Sequence, residues 1–463
     1  MNSGNKSVGM LLIFPVLYII AFIIALRGIL KQKEEALFLF VILALPIYNT
    51  ALTISYGNGF KDWVPFLQSF KEFVLLFALL VLFWNYRKKF VFEAMDKWLV
   101  AFFLVTFLYV FIPLGKYSLL QKLVAFKSLS FFVVIYFTGR LIDTTKFQFQ
   151  KIFTWVGLLS FAAVTLLIFE VLTNTHFQTY TDYAFFNQEF YGLEPSGRYG
   201  LTWSFELNDG LKRFASFFSN PLEMAGATLV TTAMFMAAYT NEQNKIYVDK
   251  FGWLVVFSTF VAILFALSRS SLLGYVLLIY VYSLITNRKE ITYVFYTAIG
   301  LGILYVIYLL NDRYAYDYLI STIQLSDTSS VGHVLEWIEG VQSMMDSPFG
   351  RGLGESGRVS AALQENVGGE NQFIIVGVQT GIISLIIYII IYIKIIGISW
   401  RGFKNNAGML RTLALSIFLM KISFLVPMLT SNFDSYSYIT YLSWLLTGLM
   451  VSMFHEQTTN ITT

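Results

Sequence analysis

The chain has no cysteine and only three histidines in 463 residues. Without cysteine there are no disulfides, no thiolate catalysis and no cysteine-ligated metal. Charge is scarce as well. Asp, Glu, Lys and Arg make up 13% of the residues, where a soluble domain carries about 25%. The net charge of +4 is small and falls mostly in loops, so it bears on membrane orientation rather than on nucleic acid. No small-residue cleavage site follows the first apolar run, and Leu26-Arg27-Gly28 leads into the basic KQKEE stretch. This predicts an uncleaved first span instead of a removed signal peptide. There is no internal repeat and no low-complexity stretch.

What fills the chain is apolar. Hydrophobic residues make up 57% and aromatics 18%, with a mean hydropathy of +0.65. Apolar runs recur at Val8–Leu26, Ala36–Ile54, Trp63–Trp84, Trp98–Leu114, Leu119–Phe137, Ile152–Leu172, Pro221–Tyr239, Trp253–Leu267, Leu272–Ile285, Ile291–Leu310, Phe373–Ile398, Thr412–Leu429 and Tyr438–Phe454. A bilayer core about 30 Å thick takes about 20 residues of helix. The expected fold is an all-α polytopic membrane protein of about thirteen spans (twelve to fourteen).

Lysine and arginine set the expected orientation. One set of alternate loops holds Arg27, Lys31 and Lys33; Arg87, Lys88 and Lys89; Arg140, Lys146 and Lys151; Lys245 and Lys250; Arg288 and Lys289; Arg401, Lys404 and Arg411. That set should be cytoplasmic, with the C-terminus. With thirteen spans the N-terminus is outside. The basic-poor set contains two long polar segments, Thr173–Asn220 and Asn311–Glu370, which should face outward. The expected division is 1–172 (spans), 173–220 (first external segment), 221–310 (spans), 311–370 (second external segment) and 371–463 (spans). In the second segment a helix is expected from Val331 to Met345. Val334, Leu335, Ile338, Val341 and Met345 recur at helical spacing, so that face should pack on the bundle. Ser347-Pro348 should end the helix, and Gly350, Gly352 and Gly354 should form a turn.

Chemistry-bearing residues concentrate on the outward side. Arg213 precedes the seventh run, and Arg269 lies in the SRSS link between the eighth and ninth. Arg351 and Arg358 flank the glycine turn. An arginine fork suits phosphate; the alternative for Arg213 and Arg269 is snorkelling to the headgroups. Glu370 stands where the chain re-enters the apolar phase, followed by Asn371. A carboxylate at a dry boundary tends to a raised pKa, which suits a general base; the alternative is a helix-start carboxylate answering the dipole. His333 could be base, donor or phosphate ligand, or a satisfied structural residue. With Glu336 it spans too little chain for a metal site. His176 and His455 have no supporting context. GRGLGESG follows no strand and lacks the GK[ST] ending, so it reads as a turn offering amides to an anion, not as a nucleotide loop. Within the runs lie Lys71, Glu72, Lys122, Lys127, Glu170 and Lys421. Interhelical pairing is expected for Lys122 and Glu170, and an ion path is the alternative reading for the rest.

Three stretches together resemble the O-antigen ligase and polysaccharide polymerase family. They are Arg213 with FASFFSNPLEMAG, Ser268-Arg269-Ser270, and SPFGRGLGESG followed by GGENQFIIVGVQTGIIS. Ligases of that family carry a histidine, an amide or hydroxyl residue, nine residues, a glycine, two more, and a small residue. Glu370, Asn371, Gly381 and Ser384 keep that spacing here, with glutamate in place of the histidine. The resemblance covers about Leu211 to Ser384. It implies a C-type, metal-independent glycosyltransferase of the bacterial inner membrane, without cofactor, and the glutamate favours a polymerase over a ligase. The implied donor is a glycan on undecaprenyl diphosphate, and a chain-length regulator protein is an implied partner beside the bilayer. Glu370, His333, Arg213 and Arg269 are the implied catalytic residues. Asn371, Arg351, Gly352, Gly354 and Lys127 are the candidate substrate contacts. The alternatives are ligase-type transfer to another acceptor, and a flippase or ion-coupled carrier.

Overall fold

A computed structural model of the chain describes residues 11–87, 90–145, 147–207, 210–309, 328–361 and 367–462. The first run's start at Val8, the loop lysines Lys88, Lys89 and Lys146, residues 310–327 and the Arg358 side chain lie outside that description.

Among the described residues each apolar run is mainly helical. The helices are α1 (Ile13–Leu30), α2 (Glu35–Leu43), α3 (Tyr48–Gly57), α4 (Val64–Tyr86), α5 (Ala94–Phe111), α6 (Leu119–Arg140), α7 (Phe149–Thr173), α8 (Tyr183–Tyr191), α9 (Pro221–Ala238), α10 (Lys250–Phe265), α11 (Arg269–Ile285), α12 (Lys289–Leu309), α13 (Thr328–Asp346), α14 (Gln372–Asn405), α15 (Gly408–Thr430) and α16 (Ser437–Thr462). Among the described residues there is no strand, only isolated bridges such as Glu206 with Lys212. Nine of these helices are long and apolar enough to cross a bilayer, or ten if the α2–α3 pair is one span bent by 60°. Pro46 sits at that bend, where its missing N–H interrupts the helix. The eighth and ninth runs form α10 and α11, of 16 and 17 residues, shorter than the usual span.

The chain is thus a multi-pass helical membrane protein. Its centre is built from α9, α15 and α16: 83% of the apolar stretch of α9 and of α16 is buried, against 33% for α1 and α5. Buried charged groups in this bundle are paired or hydrogen-bonded. Arg140 meets Asp96 through Nη2 at 3.0 Å and Nε at 3.1 Å, and Tyr136 Oη donates to the same carboxylate at 2.6 Å. Glu170 does not pair with another helix as expected. Its carboxylate accepts from the Phe177 and Ser216 amides at 2.7 and 2.8 Å, so it staples the first polar segment to α7. Lys122 Nζ caps the Ile112 carbonyl at 2.8 Å.

The longest helix, α14, is broken at Gly381 (φ 80, ψ 175). Only glycine is at ease in that conformation. The break exchanges hydrogen bonds with the Pro348–Gly352 turn. Ile382 N–H, whose helical partner would be Val378 O, donates to Pro348 O at 2.9 Å. Val378 O accepts from Arg351 N–H at 2.7 Å, and Gln379 O from Gly352 N–H at 3.1 Å. The turn thus supplies partners to three backbone groups that the kink frees from the helix, as a helix in lipid requires.

The expected helix over 331–345 is present as α13, ended at Ser347-Pro348. Its apolar face is not where the spacing placed it. Leu335, Ile338, Val341 and Met345 are exposed. The other side packs on α14, where a Cβ on Gly340 would sit 2.2 Å from Ile374 Cγ2 and one on Gly377 2.1 Å from Met344 Sδ.

Candidate active site

The site is assembled where the two polar segments meet the ends of α9, α11, α14 and α16. Ser219-Asn220-Pro221-Leu222-Glu223 starts α9. Asn220 Oδ1 accepts from Glu223 N at 2.9 Å, Pro221 occupies the first turn, and the Glu223 carboxylate accepts from Ser219 N at 3.2 Å, a reciprocal cap. This fixed helix start anchors the chain just upstream, where Arg213 lies. Arg213 N donates to Phe205 O at 2.9 Å, and Arg213 Nε to Ala266 O at 3.2 Å. The guanidinium therefore caps the carbonyl end of α10. Burial, then Arg269, lowers the Arg213 pKa to about 10, and it stays charged at neutral pH.

Arg269 is the first residue of α11, after the Ser268 N-cap. A cation there is opposed by the helix dipole, so helix stability does not account for it. Arg269 is exposed and close enough to His333 for its charge to oppose protonation of the imidazole.

His333 and Glu370 are in contact. Nδ1 lies 2.6 Å from Glu370 Oε2. The Glu370 carboxylate raises the His333 pKa against the opposing effect of burial. Glu370 was expected at a dry boundary, yet its side chain is 49% exposed. The carboxyl that burial does push up, to about 7, is Glu336, with the Glu370 charge as second cause. Glu336 stands one turn along α13 from His333, and its Oε2 accepts from Glu370 N at 3.1 Å. Trp337 adds a buried indole Nε1 without a partner among the described residues.

The loop before α16 contributes Tyr436, which the sequence reading missed. Burial raises its pKa most, and the charges of Glu223, Arg213 and Glu370 all reach it. The available signal was topological, since this loop should lie on the same side as the two polar segments.

Other sequence candidates have structural duties. Asn371 is the N-cap of α14, its Oδ1 accepting from Phe373 N and Ile374 N at 3.0 and 3.2 Å. Gly352 and Gly354 give their amides to Gln379, to O at 3.1 Å and Oε1 at 2.9 Å, so the turn closes the α14 kink rather than presenting those amides to an anion. The Arg351 amide serves the same kink, and its side chain is exposed. Lys127 is paired with Glu72 at 2.8 Å across α6 and α4. Lys71 Nζ donates to Ser437 Oγ at 3.1 Å, and Lys421 lies 4.1 Å from the Trp444 ring centre. His176 packs among the rings of Tyr199, Phe205 and Phe214, its Nε2 3.2 Å from Phe205 O, with burial lowering its pKa to about 4. His455 pairs with Glu93. Among the described residues, no group of three or more histidine or acidic side chains is arranged to hold a metal ion.

No family model matches the chain. An O-antigen polymerase of Salmonella muenchen is 26% identical to it over 251 residues, 52% of this chain and 58% of that protein. The chain thus spans little more than half the length of the curated relative that it matches, and over that stretch it is similar to an O-antigen polymerase.

Proposed function

We propose that the chain is a polysaccharide polymerase that transfers a glycan from undecaprenyl diphosphate to a second lipid-linked repeat unit. The observation that carries this reading is the His333–Glu370 contact at 2.6 Å, with Arg269 and Arg213 nearby. The likeness to an O-antigen polymerase supports it.

The chemistry needs three things: a proton acceptor for the incoming hydroxyl, cations for the departing diphosphate, and exclusion of water. Glu370 faces Nδ1 of His333, which leaves Nε2 to take the proton. The acceptor hydroxyl oxygen attacks the anomeric carbon. The bond from that carbon to the diphosphate oxygen breaks, and its electron pair leaves with the diphosphate. The hydroxyl proton passes to His333 Nε2, and Glu370 stabilises the imidazolium. Arg269 and Arg213 offset the charge gathering on the leaving group. This joins the two competing base candidates in one unit, with His333 as acceptor and Glu370 as its positioning partner. Glu336, near neutrality in its titration, is placed to exchange protons with this pair. The exposed Trp203, two residues before the carbonyl that holds Arg213, offers a ring face for a sugar.

The basic-poor character of both polar segments supports an outward-facing site. A cysteine at Ser196 or Glu339 should react with an impermeant maleimide in intact spheroplasts; reaction only after lysis would reverse the orientation. The activity itself is tested with purified protein and one lipid-linked repeat unit in vesicles without any ion gradient. A polymerase yields a ladder of longer lipid-linked products. Translocation of the unit with no ladder would favour the carrier, and transfer only to a different acceptor would favour the ligase.

A further inference from the structure

The polarity of α13 runs against its packing. A helix on a water-soluble protein turns its apolar stripe inward. Here Leu335 is 60% exposed, Ile338 57% and Met345 73%, and with Val331 they form one stripe in which the exposed Gln342 is the single polar position. The side against α14 instead carries His333, Glu336 and Gly340. A third sector holds Glu339 and Asp346, both exposed. The helix therefore has three faces: one for the protein, one polar, one apolar and uncovered among the described residues.

The apolar face is continuous with the outer surface of the bundle. One turn beyond Met345 comes Phe349, 73% exposed. Its backbone lies against the α14 kink, where the exposed Ile382, Ile383 and Ile386 follow. The Phe349 carbonyl also accepts from Tyr109 Oη at 2.5 Å, beside the exposed Leu108 and Phe111 of α5. Those residues belong to helices that cross the membrane, so their outer faces meet acyl chains. The stripe leads towards that belt through Phe349.

We propose that α13 is an in-plane interfacial helix whose Val331–Leu335–Ile338–Met345 stripe is inserted into the bilayer, holding His333 and Glu336 at the membrane boundary. The partner is the hydrocarbon of the bilayer, not its headgroup charge. The helix carries three acidic residues, Glu336, Glu339 and Asp346, and no lysine or arginine, so electrostatic attraction to anionic lipid does not hold it there. The inference does not depend on the glycosyltransferase reading, because its readout is depth rather than activity.

The chain's lack of cysteine makes the test direct. Single cysteines at Leu335, Ile338 and Met345, and at Glu339 and Asp346, are spin-labelled in full-length protein in phosphatidylcholine vesicles. All five positions are exposed, so no packing is lost. Collision with oxygen, which concentrates in hydrocarbon, is compared with collision with a water-soluble nickel chelate. We expect oxygen to dominate at the first three positions by several-fold and nickel at the last two. Nickel dominance at all five would overturn the proposal. So would exclusion of both reagents with spin–spin broadening at the stripe, which would mean that a second copy of the chain covers it. A requirement for anionic lipid would also overturn it.

Discussion

His333 Nδ1 lies 2.6 Å from Glu370 Oε2, joining a helix of one polar segment to the residue just before the N-cap of α14. The carboxylate is the leading reason that the imidazole pKa is raised. A base must be neutral to accept a proton, so wild-type activity should fall as pH drops through this raised value, above the ordinary histidine range of about 6.5. Glu370→Gln removes the cause and should move the acid limb downward while lowering the maximal rate. An acid limb that stays in place in Glu370→Gln would separate the pair.

Glu336 gives a second pH dependence, of opposite chemistry to an ordinary paired carboxylate. Its folded-state pKa is raised to about 7, so the folded protein binds its proton more tightly than the unfolded chain does. That contribution to stability is present below the unfolded pKa and is lost as pH rises from there through about 7. Glu336→Gln should therefore slow hydrogen exchange in 328–346 at pH 8 relative to wild type, and change it little at pH 4. Slower exchange only at the acidic end would contradict the assignment.

Which residues share a face was legible in the sequence; what covers that face was not. The stripe of α13 was recognised from its spacing, but spacing does not distinguish lipid from protein as the cover. All the apolar runs were legible as helices because a bilayer demands long apolar stretches. That Arg213, Arg269, His333 and Glu370 could come together was legible from the common side that the loop charges predict for them. The use of the Gly350–Gly354 turn was not, because it depends on a helix break at Gly381 that leaves Val378 O and Gln379 O in need of donors. Asn371 is both a motif residue and a helix cap, and only coordinates show that its side chain is already engaged. Lys127, a candidate substrate contact by sequence, is paired with Glu72 of another helix, a neighbour that only the fold brings beside it.

The arginines should separate by their structural duties. Arg269 sits at the start of α11 against the helix dipole, so Arg269→Ala should cut polymer formation at least about tenfold, out of proportion to any change in melting temperature. Arg213 also caps the end of α10, so Arg213→Ala should lose activity and about 1 kcal/mol of stability together. Lysine should rescue each activity only in part, because the planar fork is lost. Normal polymer from both alanine variants would remove the arginines from the site.

The α14 kink should depend on Gly381. A Cβ there would lie 2.7 Å from Pro348 O, at a φ of 80°. Gly381→Ala should destabilise by about 1–3 kcal/mol, seen as a lower melting temperature in detergent. Gly397, on the same helix, has nothing within 4 Å of its added Cβ, so Gly397→Ala should be neutral or slightly stabilising. Equal melting of the two variants would mean that the turn does not fix the kink.

The central claim is that His333, set by Glu370, takes the proton of the incoming sugar hydroxyl. The most direct measurement is the rate of ladder formation from one lipid-linked repeat unit by purified wild type, His333→Gln and Glu370→Gln. Binding of the same unit is measured alongside. The account predicts a loss of at least about a hundredfold in His333→Gln with binding retained, and a smaller loss in Glu370→Gln. A full-rate ladder from His333→Gln, with Glu370→Gln inactive, would contradict it and make Glu370 the base.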